Sequence, residues 1–276
     1  MTTFRLGAKA QRARYRLAGY DSVGSTNSEA AAAAAGGDPG NIWFVALQQT
    51  AGRGRRGRPW ESPYGNLAAS LLLRPDADPN VAATLGFVAG VAVHRALTEL
   101  LSVTQASEIV EGPDSSDEAV SIALKWPNDV LVGGAKLVGI LLEASAAPGG
   151  GQMITIGFGV NVAAAPQGLP YPTASLAEFG ASFDAQQVFE TLAEHWVDVY
   201  KIWDNGKGLA DILAMWRQSA AGIGADIVVT THDEIVRGTF ESIDDVGRLI
   251  VKVSDGRRKI ITAGDVHFGT TATLRN

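Results

Sequence analysis

The chain has 276 residues, of which 46% are hydrophobic and 19% charged, and its formal net charge is -6. This composition predicts a folded globular protein, and the acidic balance argues against general affinity for nucleic acids or anionic membranes. The chain contains no cysteine, which excludes disulfides, thiol catalysis and cysteine-based metal sites, and its four histidines show no metal-binding spacing.

The N-terminal segment MTTFRLGAKAQRARYRL is basic but has no apolar run of signal-peptide length. No later segment reaches about 18 uninterrupted apolar residues, so we expect a cytoplasmic protein with no membrane partner. A strand is predicted over residues 16–21. A helix follows it, where Ser25 or Thr26 can cap a run of six alanines.

The basic segment QQTAGRGRRGRPW (48–60) connects two predicted strands, 42–47 and 67–73. Its glycines expose backbone amides to a ligand, and its arginines carry planar donor groups suited to phosphate and carboxylate. The pattern predicts an anion-binding loop, and the mutual repulsion of the arginines predicts that it is mobile until an anion binds. A solvated loop and an RNA-binding RGG segment remain the alternatives.

The middle of the chain predicts helices and hairpin-linked strands. A helix is expected over 80–101, an acidic surface loop over 105–118, strands over 121–125, 136–144 and 152–162, and amphipathic helices over 186–203 and 209–219. This grouping favours an α+β fold on a largely antiparallel or mixed sheet. After residue 222, short strands over 226–231, 235–243, 248–253 and 257–262 predict a small β-barrel.

The motif KWPND (125–129) is followed by Gly133, Gly134 and Lys136. A hairpin here would present Asp129 and Lys136 to one ligand, although a structural turn beside a solvated lysine explains the same residues. In the same way, GSTN (24–27) is typical of a helix cap, and GFGVNV (157–162) is typical of a plain strand. No motif decides the function by itself.

The six motifs GSTN, QTAGRGRRGRPW, SPYGNL, KWPNDV, KLVGILLE and GFGVNV occur in an order that resembles the biotin protein ligases, also called biotin--[acetyl-CoA-carboxylase] ligases. The resemblance implies a class II aminoacyl-tRNA synthetase-like catalytic domain with a mixed sheet over 1–221. It also implies a small SH3-like β-barrel over 222–276. The short segment before the first predicted strand resembles the monofunctional form without an N-terminal DNA-binding domain, so no DNA partner is expected.

The resemblance implies a ligase that uses biotin and ATP, with Mg²⁺, to form biotinyl-5'-AMP. The biotin then passes to a lysine of the biotin carboxyl carrier protein of acetyl-CoA carboxylase, and other biotin-dependent carboxylases are further candidate partners. A lipoate protein ligase and an RNA-binding module are the alternative functions. The resemblance does not fix the oligomeric state, and a homodimer is compatible with it.

The resemblance assigns three overlapping sets of site residues. The biotin set is Ser25, Thr26, Asn27, Gln49, Gly52, Arg53, Gly54, Arg55, Lys136 and Gly139. The ATP set is Arg55, Arg56, Arg58, Trp60, Asn128, Asp129, Lys136 and Asn161. The catalytic set is Lys136, Arg55 and Arg58. Mg²⁺ is expected to arrive with ATP near Asp129, with no metal site fixed by the protein alone.

Overall fold

A computed structural model describes residues 4–107, 120–180 and 182–269. Most of the acidic surface loop predicted over 105–118 lies outside the described residues. The helix that precedes it continues to Ser107, so residues 105–107 are helical rather than part of a loop.

Seven strands form the larger sheet, in the order β1-β2-β3-β7-β6-β5-β4. They are β1 (Arg16–Tyr20), β2 (Ile42–Ala46), β3 (Leu67–Leu73), β4 (Ile122–Lys125), β5 (Asp129–Val132), β6 (Ala135–Ala146) and β7 (Gln152–Val160). Among the described strands, β1 and β2 form the parallel pair and the other neighbours are antiparallel. The predicted mixed sheet is therefore confirmed, whereas β5 was not predicted as a strand.

The helices are α1 (Ala8–Arg12), α2 (Thr26–Ala35), α3 (Pro79–Ala82), α4 (Leu85–Ser107), α5 (Ala185–Trp203) and α6 (Leu209–Gln218). The single helix predicted over 80–101 is divided into α3 and α4. Asp78 caps α3, because its carboxylate accepts the Asn80 N–H at 2.9 Å and a proline occupies the first turn.

The two faces of the larger sheet are covered differently. One face packs against α4 and α5 in the main core, where Trp43 of β2 meets Trp196 of α5 edge to face, with ring centroids 6.4 Å apart. Such aromatic pairs contribute beyond the apolar area that they bury. Among the described helices, α2 is the one that covers the opposite face, where it packs on β2, β3 and β7 beside a small cluster that includes Phe44 and Met153. Because α2 covers only part of that face, the rest can form a binding site.

Within the described residues, Pro79–Ser102 is long and apolar enough, by length and composition, to cross a membrane. However, 67% of its most apolar window is buried inside the fold, where α4 packs against α5, α6 and β6. A core helix of a globular protein passes the same test, so the segment is explained by its packing.

A second, antiparallel sheet of five strands follows, in the order β11-β10-β9-β8-β12. Its strands are β8 (Asp226–Thr230), β9 (Ile235–Ile243), β10 (Leu249–Lys252), β11 (Arg258–Ile261) and β12 (Asp265–Phe268). The first four agree with the predicted strands, and β12 was not predicted. Hydrogen bonds from Trp126 to the Gly247 carbonyl (3.0 Å) and from Arg217 to the Ile243 carbonyl (3.0 Å) hold this sheet against the rest of the chain.

Candidate active site

A cavity of about 540 Å³ lies between the less covered face of the larger sheet and strand β12. Its volume is in the range of small-molecule sites in proteins. All predicted site residues line it except Gly52, Arg56 and Asn161. Those that line it are Ser25, Thr26, Asn27, Gln49, Arg53, Gly54, Arg55, Arg58, Trp60, Asn128, Asp129, Lys136 and Gly139.

The three predicted residues that do not line the cavity lie beside it. A β-carbon on Gly52 would be 2.9 Å from Nε2 of Gln49, so this glycine lets the loop approach that amide. The Arg56 guanidinium is 3.1 Å from Asp265. Asn161 is buried two residues after Gly159, which lines the cavity. It donates to the Ala174 carbonyl at 3.1 Å, while its Oδ1 has no hydrogen-bond partner in the described part of the chain.

One end of the cavity is a polar corner at the start of α2. Ser25 occupies the N-cap position but makes no side-chain capping bond, and the Thr26 hydroxyl does not cap the helix either. The Thr26 backbone N–H donates to Oε1 of Gln49 at 2.8 Å, and the Thr26 hydroxyl oxygen is 2.7 Å from Ser70 Oγ. The predicted caps are therefore wrong, and these side chains belong to the cavity wall instead.

Asn27 is fixed by its neighbours in the same polar corner. Its Oδ1 accepts from the Ser70 hydroxyl at 2.5 Å, and its Nδ2 donates to Glu143 at 2.6 Å. A β-carbon on Gly157 would lie 3.0 Å from Cγ of Asn27, so the glycine makes room for this amide. Glu143 also lies 3.7 Å from the Arg53 guanidinium, which links the polar corner to the basic loop. Ser70 and Glu143 were not among the predicted site residues.

The indole of Trp60 covers the middle of the cavity floor. Gly139 on β6 and Gly159 on β7 are paired in register, and a β-carbon on either residue would meet the indole. The Lys136 ammonium lies 5.5 Å from the centroid of the Trp60 ring and 5.6 Å from that of Tyr171. Distances within about 6 Å correspond to cation–π contacts, so both rings help to place this ammonium.

Lys136 and Asp129 form an ion pair of 2.7 Å, and their side chains are only 17% and 18% exposed. The hairpin of β5 and β6 brings them together through a two-residue turn at Gly133 and Gly134, both of which have positive φ. The spacing predicted a hairpin that brings these two residues together, and the structure shows them paired with each other. Lys125 pairs with Asp129 in the ladder of β4 and β5, and burial lowers the pKa of Lys125, opposed by the nearby Asp129 carboxylate.

The basic loop is folded back on itself in the structure. The Gly54 N–H donates to the Arg58 carbonyl at 2.7 Å, and the Trp60 N–H donates to the Gly52 carbonyl at 3.0 Å. The Arg55 guanidinium donates to Oδ1 of Asn128 at 3.1 Å. The loop therefore adopts a defined hairpin over the cavity.

The carboxylate of Asp265 lies among the loop arginines. It is 2.8 Å from Arg58, 3.1 Å from Arg56 and 3.9 Å from Arg55. Burial lowers the pKa of Arg55, and the Asp265 carboxylate opposes that shift. No sequence motif identified Asp265, because it stands on β12, which was not predicted as a strand.

The charges of the cavity indicate the kind of ligand that it can bind. Among the described residues, five lysine or arginine side chains line it against the two carboxylates of Asp129 and Asp265. Fixed cations in a partly buried cleft favour anionic ligands, and the indole offers a flat apolar surface beside them. The described residues form no group of three or more acidic or histidine side chains that could hold a metal ion.

Two family descriptions match the chain. The Biotin/lipoate A/B protein ligase family matches residues 38–161, and the Biotin protein ligase C terminal domain matches residues 222–269. The first match contains the basic loop and the KWPND hairpin, and the second contains all five strands of the smaller sheet.

Relatives and solved structures agree with these matches. The chain is 39% identical over 257 residues to a biotin--[acetyl-CoA-carboxylase] ligase of Paracoccus denitrificans, covering 89% of this chain and 97% of that protein. A biotin protein ligase from Aquifex aeolicus, solved with biotin and ATP, shares the fold with a TM-score of 0.73 at 22% identity, covering 93% of this chain and 99% of its own. A biotin protein ligase from Leishmania major, solved with biotinyl-5-AMP, has a TM-score of 0.61 at 26% identity and covers 90% and 99% of the two chains. The chain therefore belongs to the biotin protein ligase family.

Proposed function

We propose that the protein attaches biotin to a lysine of a biotin carboxyl carrier protein in two steps that consume ATP. In the first step, a biotin carboxylate oxygen bonds to the α-phosphorus of ATP, the bond to the β-phosphate oxygen breaks, and pyrophosphate leaves. In the second step, the lysine amine attacks the acyl carbon of biotinyl-5'-AMP, the carbon–oxygen bond to AMP breaks, and the amine loses a proton. The proposal rests on one observation, which is that the polar corner, the Lys136–Asp129 pair and the basic loop (48–60) all line the same cavity.

Biotin binds in the polar corner under this proposal. Ser25, Thr26, Asn27 and Gln49 offer hydroxyl and amide groups to its ureido ring, and their orientation is supported by the bonds to Ser70 and Glu143. The loop residues Gly52, Arg53, Gly54 and Arg55 close over the bound molecule. Gly139, the remaining residue of the biotin set, makes room for the Trp60 indole beside it. A site whose polar groups are fixed before binding avoids the entropic cost of ordering them.

Adenylation needs cations because biotin and ATP are both anions. In addition, the transition state carries negative charge that is distributed over the oxygens of the reacting phosphate. Lys136 is placed to bridge the biotin carboxylate and the α-phosphate. Arg55, Arg56 and Arg58 hold phosphate oxygens, and positioned charges of this kind are the main source of catalysis in phosphoryl and nucleotidyl transfer. Trp60 stacks on adenine, while Asn128 and Asn161 serve the nucleotide. The support for Asn161 is that its buried Oδ1 is an acceptor with no partner among the described residues.

Magnesium fits this cavity as a partner of ATP. Mg²⁺ prefers oxygen ligands and is commonly held by one or two carboxylates together with substrate phosphates and water. Asp129 is the carboxylate beside Lys136, and Asn128 adds an amide oxygen. When bound there, Mg²⁺ would neutralise phosphate charge, while Lys136 and the arginines orient the reacting groups.

The finer description of the fold belongs to the same proposal. We assign residues 1–221 to a catalytic domain of the class II aminoacyl-tRNA synthetase type and residues 222–276 to an SH3-like barrel. The mixed seven-stranded sheet and the five-stranded antiparallel sheet support this division. The carrier protein of acetyl-CoA carboxylase is the proposed partner, and the cytoplasm is the proposed location because ATP and the carrier meet there.

Pyrophosphate release from ATP tests the function directly. We expect release that depends on biotin, with AMP formation and covalent biotin on the carrier when a carrier domain is added. Lipoate in place of biotin tests the lipoate ligase alternative. Isothermal titration with biotin, lipoate and a single-stranded RNA tests the RNA-binding alternative, and tight RNA binding without biotin binding would overturn the proposal.

A further inference from the structure

We infer that Asp265 is a positioning residue of the active site, which holds the three loop arginines over the cavity before the nucleotide arrives. The inference rests on the proposed function, because the arginines matter only if they bind phosphate. Because Asp265 lies on strand β12, the smaller sheet would contribute to catalysis by positioning these arginines.

The contacts of Asp265 are those of an anion in a phosphate site. One carboxylate lies within ion-pair distance of Arg55, Arg56 and Arg58, and the Asp265 side chain is only 20% exposed. Without a counter-charge, three guanidinium groups so close in sequence would repel one another. The carboxylate therefore supplies in the free enzyme the charge that phosphate would supply later, which explains why the loop is folded in the structure.

Most N–H groups of the arginines remain free of hydrogen bonds to Asp265. A guanidinium has five N–H donors, whereas Arg56 and Arg58 each give one hydrogen bond to this carboxylate. The remaining donors are available to phosphate oxygens. The geometry is therefore compatible with Asp265 staying in place while ATP binds.

The carboxylate stands on a rigid support. Asp265 pairs with Thr230 of β8, and a β-carbon on the preceding Gly264 would lie 2.8 Å from Cγ1 of Val229. The close approach of Gly264 to β8 fixes the start of β12. The Arg55 guanidinium also donates to the Gly264 carbonyl at 3.4 Å, so the loop contacts the backbone of this strand as well.

In the competing role, Asp265 would inhibit ATP binding. If the carboxylate mainly occupied the arginines, ATP would have to displace it, and its removal would tighten ATP binding. If it mainly orders the loop, its removal would weaken ATP binding and free the loop. The two roles predict opposite changes in kcat/KM for ATP, so one variant distinguishes them.

The decisive experiment compares Asp265→Asn with the unaltered enzyme. We expect kcat/KM for ATP in pyrophosphate release to fall about tenfold, the scale expected for losing a charge-assisted hydrogen bond. We also expect trypsin to cut after Arg53, Arg55 and Arg56 several-fold faster in the variant without ligands. Asp265→Glu should restore most of both properties, which a purely structural role would not predict.

Asp255→Asn is the matched control, because Asp255 lies in the turn between β10 and β11 of the same sheet and pairs with Arg257 outside the cavity. It should change neither readout. If Asp265→Asn proves unfolded by thermal melting, Arg56→Gln removes one of the same contacts from the loop side, and it should speed cleavage after Arg53 and Arg55.

Unchanged cleavage of the loop in a folded Asp265→Asn variant, or an increased kcat/KM for ATP, would overturn the inference. The cleavage readout requires no turnover. If the unaltered enzyme released no pyrophosphate with biotin, the proposed function would fail, while the proteolysis would still report whether Asp265 orders the loop.

Discussion

The indole of Trp60 occupies the space over Gly159 where a side chain on β7 would otherwise project. The neighbouring Gly139 leaves the rest of that space, since a β-carbon there would be 2.9 Å from Cζ3 of the indole. Two glycines that face each other across β6 and β7 thus form a flat floor on which the ring lies. The ring can lie there because neither strand carries a side chain at these two positions.

Gly159→Ala is expected to displace the indole and to lower kcat/KM for ATP by a factor of about 10 to 100. The reason is that stacking between an aromatic side chain and a base contributes about 1–3 kcal/mol. Gly86→Ala is the control, because a β-carbon there meets nothing within 4 Å. Steady-state pyrophosphate release measures the effect, and equal losses in both variants would contradict the role given to Trp60.

A second prediction concerns the Lys136–Asp129 pair. Sequence reasoning places Lys136 at a solvated hairpin end, where a charge contributes little to stability, but the structure buries most of both side chains. Lys136→Gln should therefore lower the free energy of unfolding by about 3 kcal/mol, because it removes the ion-pair partner of a mostly buried Asp129 carboxylate and leaves, among the described residues, only the longer-range charges of Lys125 and Arg55. It should also slow adenylate formation at least a hundredfold if Lys136 stabilises the transition state.

The double variant Lys136→Gln with Asp129→Asn separates the two effects. Removing the unpaired carboxylate should recover most of the lost stability, as measured by urea unfolding, whereas single-turnover adenylation should stay slow. Recovery of activity together with stability would show that the lysine acts only through the fold.

The motifs of this site could be predicted because each one is local. The chain from Lys125 to Lys136 contains the motif and the glycine turn, so spacing predicts that Asp129 and its lysine lie close together. Strand β5 and its register shift against β6 could not be predicted from this spacing. Asp265 and Glu143 could not be found in this way. Each lies far along the chain from the arginine that it contacts, and only the packing of the sheets brings the pairs together.

The helix start at Ser25 and Thr26 shows a different limit of sequence reasoning. Both residue types favour the N-cap, so local propensity predicts a cap. In the folded chain Gln49 of the basic loop and Ser70 of β3 bond to Thr26 instead. Tertiary partners thus replaced the local interaction, and the same residues became part of a binding surface.

A third prediction concerns Glu143, whose carboxylate accepts from Asn27 and lies near Arg53. Glu143→Gln should raise KM for biotin about tenfold, because loss of a hydrogen bond to a charged group costs about 1.5–3 kcal/mol. KM for ATP should change much less. Glu234→Gln is the control, because Glu234 is an exposed residue that pairs with Lys259 in the smaller sheet. An equal rise in both KM values would mean that Glu143 holds the whole loop rather than the biotin end.

The last prediction concerns stability and pH. His94 lies on α4, and its Nε2 is 3.2 Å from the Ile122 carbonyl. Burial lowers the pKa of His94 below its ordinary value of 6.5, opposed by that hydrogen bond, and the Arg95 charge lowers the pKa further. The folded protein therefore binds the His94 proton more weakly than the unfolded chain does. Its contribution to stability is complete above pH 6.5 and is lost as the pH falls through 6.5 towards the lower folded pKa.

His94→Gln removes this titration while its amide can still donate to the Ile122 carbonyl. Urea unfolding at pH 7.5 and pH 5.5 should show a smaller fall in the free energy of unfolding for the variant than for the unaltered protein. The pKa of His267 is also lowered by burial and by the charge of Lys125, so some of the fall should remain in the variant. His267→Gln should reduce that remainder, and it should do so additively because His94 lies on helix α4 and His267 on strand β12 of the smaller sheet. If the variant at position 94 kept the full pH dependence, the protonation of this ring would not be coupled to folding.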